Sequence, residues 1–138
     1  MKEAGYTAQV VDGKTVNAAA KLTTVPSGFE LLDTALAEAK RSNKPLVLEF
    51  TAEWCSPCRQ MERTTLADAR VVELLKQTVF VRIDTDREPK LAEAFGVVGL
   101  PDIRFASADG RLIRQLRGLQ TPESFAAALI QLIPKTQK

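Results

Sequence analysis

No histidine occurs among the 138 residues, and there are only two cysteines. Without an imidazole there is no Cys/His hydrolase pair, no Ser/His/Asp triad and no histidine metal ligand. An excess of charge is also missing: 19 Lys and Arg stand against 17 Asp and Glu, a balance of +2. That is too weak a field to recruit nucleic acid or anionic lipid, so the charges read as an ordinary solvated surface. No apolar run approaches the roughly 20 residues needed to span a bilayer, and the basic, apolar and small-residue regions of a secretory signal are not found at the start. The chain is therefore expected to be soluble, as a complete cytoplasmic protein or as a mature protein or domain relieved of its targeting segments. Neither an internal repeat nor a low-complexity tract is present. What is there suits one compact domain, with 45% apolar residues to fill a single core.

The two cysteines, Cys55 and Cys58, are spaced Cys-x-x-Cys. A structural zinc site normally takes four ligands, so this pair would need two carboxylates or a second chain to complete one. A purely structural bridge across two residues closes a very short loop and removes little unfolded-state entropy. Two thiols held side by side at a helix start are better suited to opening and closing a disulfide.

The hydrophobic pattern sets the surroundings of that pair. In residues 1–21, Asp12-Gly13 separates two short runs, which fits either a β-hairpin or a flexible extension. Ser27-Gly28-Phe29-Glu30 reads as a capping box, followed by a helix to about Arg41 with Phe29, Leu32, Leu36 and Ala39 on one face. Leu46–Thr51 (LVLEFT) is a short, almost continuously apolar run, the pattern of a strand covered on both faces. Helical segments are expected after Cys55 through Arg63 and from Asp68 to about Gln77, then a strand at Val79–Ile83. Pro89 opens a helix that Gly96 ends. Ile103–Ala106 and Leu112–Leu116, parted by Asp109-Gly110, are spaced as an antiparallel hairpin, and Thr121-Pro122-Glu123 starts a last helix ending before Pro134. Strands alternating with helices and closing on a hairpin predict an α/β domain, a central mixed sheet covered by helices on both faces.

Residues 46–59, LVLEFTAEWCSPCR, resemble the active-site strand and helix start of the thioredoxin family, and Gly99-Leu100-Pro101 follows some forty residues later. The likeness extends over about residues 22–133. It implies a thioredoxin fold with a sheet of four or five strands, the domain occupying 22–138 and residues 1–21 an extension. Leu22–Ala39, Thr64-Thr65-Leu66 and Gly99-Leu100-Pro101 resemble in particular the C-terminal domain of bacterial membrane thiol:disulfide interchange proteins.

Cys55, where strand gives way to helix, meets unpaired backbone N–H groups and the positive end of the helix dipole, which favours its thiolate. It is assigned the attack on substrate disulfide, and Cys58, one turn further in, the resolution of the mixed disulfide. Glu49 is an ionisable group inside an apolar strand. Burial would raise its pKa into the range useful for proton transfer, whereas on an edge strand it would simply point to solvent. Thioredoxins carry Asp at the matching position as proton acceptor for the inner cysteine. The resemblance further implies a groove lined by Trp54, Ser56, Pro57, Leu100 and Pro101, with a cis Leu100-Pro101 bond. Trp54 is read as a lid over the disulfide or as core filler. Asp102 stands where thioredoxins usually have Thr, which would put a negative charge near the groove, and Gly118 either borders the groove or ends a strand. Arg59 and Arg63 read as a solvated helix face.

Pro57 between the cysteines, where oxidising family members often have His, leans the direction toward reduction. The resemblance implies no cofactor beyond the Cys55–Cys58 couple. The partners it implies are protein disulfides, other thioredoxin-like domains among them, and an upstream dithiol donor such as a membrane protein, with the chain itself a monomer. The location it implies is periplasmic, with a cytoplasmic thioredoxin as the alternative. A redox-inert binding module built on the same fold is the competing functional class.

Overall fold

The computed structural model describes residues 22–136, with side chains as far as Ile133. The N-terminal extension, hairpin or linker, lies outside the described residues. In chain order the elements are α1 (Glu30–Ser42), β1 (Leu46–Thr51), α2 (Ser56–Arg63), α3 (Ala69–Leu75), β2 (Val79–Asp84), α4 (Pro89–Ala94), β3 (Asp102–Ala106), β4 (Leu112–Arg117) and α5 (Pro122–Thr136).

The four strands form one mixed sheet in the order β2-β1-β3-β4. β1 runs parallel to β2, in register Leu46 with Val79 through Thr51 with Asp84. It runs antiparallel to β3, which in turn pairs antiparallel with β4. Since β1 is an interior strand, all six of its residues are buried, and its unbroken apolar run follows from being covered on both faces. Leu46, Leu48 and Phe50 enter one core with Leu32, Ala35 and Ala39 of α1 and Leu91 of α4. Val47 enters the other, with Met61 of α2, Val71 of α3 and Phe125, Leu129 and Leu132 of α5. Side chains alternate along a strand, so position 49 belongs with Val47 on the α2 side.

Several local expectations are corrected. Ser27 does not cap α1: the cap position is Phe29, which offers no side-chain acceptor, and the nearest side-chain bond runs from the Gly28 N–H to Asp33 Oδ1 at 3.3 Å. α5 does not end before Pro134 but continues to Thr136. A proline in the last turn removes a single N–H bond close to where the helix stops in any case. Residues 22–25 also do more than lead into α1. Val25 N–H donates to Gly110 O at 2.8 Å and Leu112 N–H to Thr23 O at 2.9 Å, laying this segment beside the β3–β4 turn.

Candidate active site

β1 ends at Thr51, and the chain turns through Ala52, Glu53 and Trp54 into α2, whose N-cap is Cys55. Pro57 sits in the first turn, where a missing N–H is harmless. The Cys58 N–H donates to Cys55 Sγ at 3.2 Å, so the outer sulfur takes up one of the helix's free donors. Cys55 and Cys58 are joined in a disulfide with Cα atoms 5.3 Å apart. Cys58 is fully buried, and Cys55 keeps 4% of its surface, less exposure than a freely open nucleophile has.

That remaining surface faces a groove of about 470 Å³, walled by Trp54, Ser56 and Pro57 on one side and by Val97, Val98, Gly99 and Leu100 on the other. Cys58 is not part of the lining. Trp54 is 70% exposed, which removes the core-filler reading, and its indole N–H donates to Asp86 Oδ2 at 3.0 Å. Leu100 packs against the cluster of Ala52, Cys55 and Cys58. The Leu100-Pro101 bond is cis and Pro101 is buried. Gly118, with φ +80°, directly follows β4 and ends the strand, and it donates its N–H to Pro101 O at 2.9 Å; neither Gly118 nor Pro101 is part of the groove's lining, in which Leu100 is the last residue of its segment. Arg59 and Arg63 are exposed.

Glu49 is 1% exposed, on an interior strand, so it is not an edge residue pointing to solvent. Arg82 Nε of β2 lies 3.2 Å from Glu49 Oε1, but its N–H is not aimed at the oxygen, and neither carboxylate oxygen accepts a hydrogen bond. Burial pushes the carboxyl up to about 7, opposed by the Arg82 charge and reinforced by Glu62. Thr51 Oγ1, two residues along the same strand face, also has no partner.

The charge expected at the groove from Asp102 is not there. Asp102 is 3% exposed and accepts from Arg104 Nε at 2.7 Å and Nη2 at 2.9 Å. The pair turns to the α1/α4 side of the sheet, where Arg104 also donates to Phe95 O at 3.0 Å. Arg82, Glu62, Asp86 and Arg104 escaped the sequence reading. Arg82 and Arg104 interrupt otherwise apolar strands, which is a usable signal, but their partners depend on strand register. Among the described residues no three His, Cys, Asp or Glu side chains are grouped to hold a metal.

A thioredoxin-like domain model matches residues 32–133. The thiol:disulfide interchange protein DsbD of Vibrio vulnificus is 38% identical over 92 residues, 64% of this chain and 16% of that protein. Its namesake in Salmonella typhi is 35% identical over 112 residues, 77% of this chain and 19% of that protein. The chain thus spans less than a fifth of the length of these curated relatives. Among solved structures, the oxidised C-terminal domain of Neisseria meningitidis DsbD superimposes with a TM-score of 0.64 at 25% identity, covering 75% of this chain and 93% of that one. Poplar thioredoxin h superimposes with a TM-score of 0.65 at 27% identity, covering 76% and 91%.

Proposed function

The chain belongs to the thioredoxin-like family, and from that premise we propose that it is a thiol:disulfide oxidoreductase that passes electrons from an upstream dithiol to protein disulfides. The observation that carries this reading is the Cys55–Cys58 disulfide at the start of α2, with only Cys55 open to the groove.

In the reduced protein the Cys55 thiolate attacks one sulfur of a substrate disulfide. A mixed disulfide forms and the other substrate sulfur leaves as a thiol after taking up a proton. Cys58 then gives its proton to Glu49 and attacks Cys55 Sγ. The second substrate sulfur leaves as a thiolate that takes up a proton, and the Cys55–Cys58 disulfide is left, two electrons having passed to the substrate. A dithiol donor reverses the change and completes the cycle. The groove walls Trp54, Ser56, Pro57 and Leu100, with the buried Pro101 next in the chain, hold the substrate chain against Cys55. Residues 22–138 form the working unit and residues 1–21 an extension of it. The likeness to thiol:disulfide interchange proteins supports a place in electron transport outside the cytoplasmic membrane, with other thioredoxin-like domains as partners and with a membrane protein as donor.

Trapping tests the division of labour. Cys58→Ala should accumulate a mixed disulfide with a protein substrate and Cys55→Ala should not. Glu49→Gln should slow release of the second thiol about tenfold or more near neutral pH. Equal trapping by both cysteine variants would overturn the assignment.

A further inference from the structure

The two walls of the groove are secured differently. Trp54, Ser56 and Pro57 come from the turn after β1 and the first residues of α2, beside the Cys55–Cys58 bond. The facing wall, Val97 to Leu100, belongs to the connection between α4 and β3 and has no helix or strand of its own. Among the described residues, no backbone–backbone hydrogen bond is made by Val98, Gly99 or Leu100, and Val98 is 89% exposed. A segment with so few bonds of its own depends for its position on how its ends are held.

One side chain holds both ends. Phe95, the C-cap of α4, opens the connection, and Asp102, the first residue of β3, closes it. Arg104 Nη2 donates to Phe95 O at 3.0 Å and to Asp102 Oδ2 at 2.9 Å, while Nε donates to Asp102 Oδ1 at 2.7 Å. The guanidinium thus fills a carbonyl that the end of α4 leaves without a helical partner. It also lies over the rings of Phe95 and Phe50, which are 5.1 Å apart. Phe50 is the next to last residue of β1, from which the chain turns toward Trp54 and Cys55. The arginine therefore ties the base of one wall to both ends of the other. Both partners of the ion pair are nearly buried, so water competes little for these bonds.

We propose that Arg104, through Asp102 and Phe95 O, is a positioning residue that holds the Val97–Leu100 wall at the spacing a substrate peptide needs beside Cys55. The inference rests on the groove receiving the substrate, as in the function proposed above. Arg104 is not part of the groove lining. Its influence is on how firmly a peptide is gripped and not on the exchange of sulfur bonds. A wall already in place need not be ordered when substrate arrives, whereas a loosened one is ordered at the cost of affinity.

Arg104→Lys keeps the charge but replaces the fork by a single ammonium group, which cannot span Phe95 O and both Asp102 oxygens. In stopped flow, reduced Arg104→Lys should reduce a disulfide peptide with a second-order rate constant about five- to tenfold below wild type, the size of one lost ordering contribution. Hydroxyethyl disulfide has no peptide chain for the wall to grip and should react at the wild-type rate. Backbone ¹⁵N order parameters should fall at Val97–Leu100 and hold at Ala52–Cys58. Gln115→Ala loosens the same cluster but leaves Arg104 on both ends, and should reduce the peptide as wild type does. Should Arg104→Lys not fold, Asp102→Asn weakens the clasp at one end only and should show a smaller loss with the same selectivity. A folded variant that reduces the peptide at the wild-type rate, or slows on both disulfides alike, overturns the proposal, as does an equal loss in Gln115→Ala. Wild-type protein inert toward both disulfides overturns the functional reading, and the order parameters then decide by themselves whether the clasp holds the wall.

Discussion

Asp102 and Glu49 lie on adjacent strands, each nearly inaccessible to water and each within reach of an arginine, but on opposite faces of the sheet. Asp102 has its acceptors filled: Arg104 donates through Nε and Nη2, and Gln115 Nε2 reaches both oxygens at 3.1 and 3.2 Å. Arg104 is itself held by Phe95 O and lies over the Phe50 and Phe95 rings, 6.0 and 5.4 Å from their centroids. Glu49 has one misdirected N–H nearby and no hydrogen bond. A buried ion pair with every acceptor satisfied braces the β3 strand against α4. A buried carboxyl left short of donors is readily protonated, which suits the proton-accepting role proposed for Glu49.

The largest expected effect comes from breaking the satisfied pair. Asp102→Ala strands the Arg104 guanidinium in the α1/α4 core and should cost about 3–5 kcal/mol in urea unfolding. A loss under about 1 kcal/mol would mean that the pair is not the brace its geometry describes.

Glu49 should behave in the reverse sense. Its folded pKa of about 7 lies above the ordinary 4.5, so the stability belonging to its protonated form is fully present below about pH 4.5 and is lost as pH climbs through 7. Glu49→Gln has no such loss. Compared with wild type it should gain up to about 3 kcal/mol between pH 4 and pH 8, read from paired denaturant melts. A difference between the two proteins that stays flat over that range would contradict a buried, raised carboxyl.

The smallest effect sharpens the contrast within the Asp102 cluster. Gln115→Ala removes one amide from a carboxylate that keeps both Arg104 bonds, and should cost about 1 kcal/mol. A loss equal to that of Asp102→Ala would assign the bracing of this cluster to Gln115 rather than Arg104.

Much of this molecule was legible along the chain. LVLEFT reads as a strand covered on both faces, and the structure has β1 with those bounds in the interior of the sheet. The hairpin signalled by Asp109-Gly110 is the β3–β4 pair. Pro57, Pro89 and Pro122 fall in the first turns of α2, α4 and α5, where sequence pattern had them. Capping was less legible. Ser27 and Glu30 have the spacing of a reciprocal cap, but α1 begins two residues after the serine's required position, because Phe29 and Val25 are drawn into the core beside α1. The roles of the charged strand residues were least legible. Asp102 and Arg104 sit two apart on one strand, which shows that they share a face but not which face, or that Gln115 and Phe95 O complete their bonding.

The sequence by itself determined the Cys-x-x-Cys pair at a helix start, the apolar strand leading into it and the alternation of elements, since all of these are local and depend on backbone geometry and side-chain period. Only the tertiary structure decided which charges meet. Arg82 is 33 residues beyond Glu49 and Glu62 is on another element, and they come together because parallel pairing places residue 82 opposite residue 49 while α2 packs over that face. The proton affinity of Glu49 is a product of that meeting: burial comes from the sheet's interior, the opposing charge from β2 and the like charge from α2, and none of the three is a property of the strand that carries it.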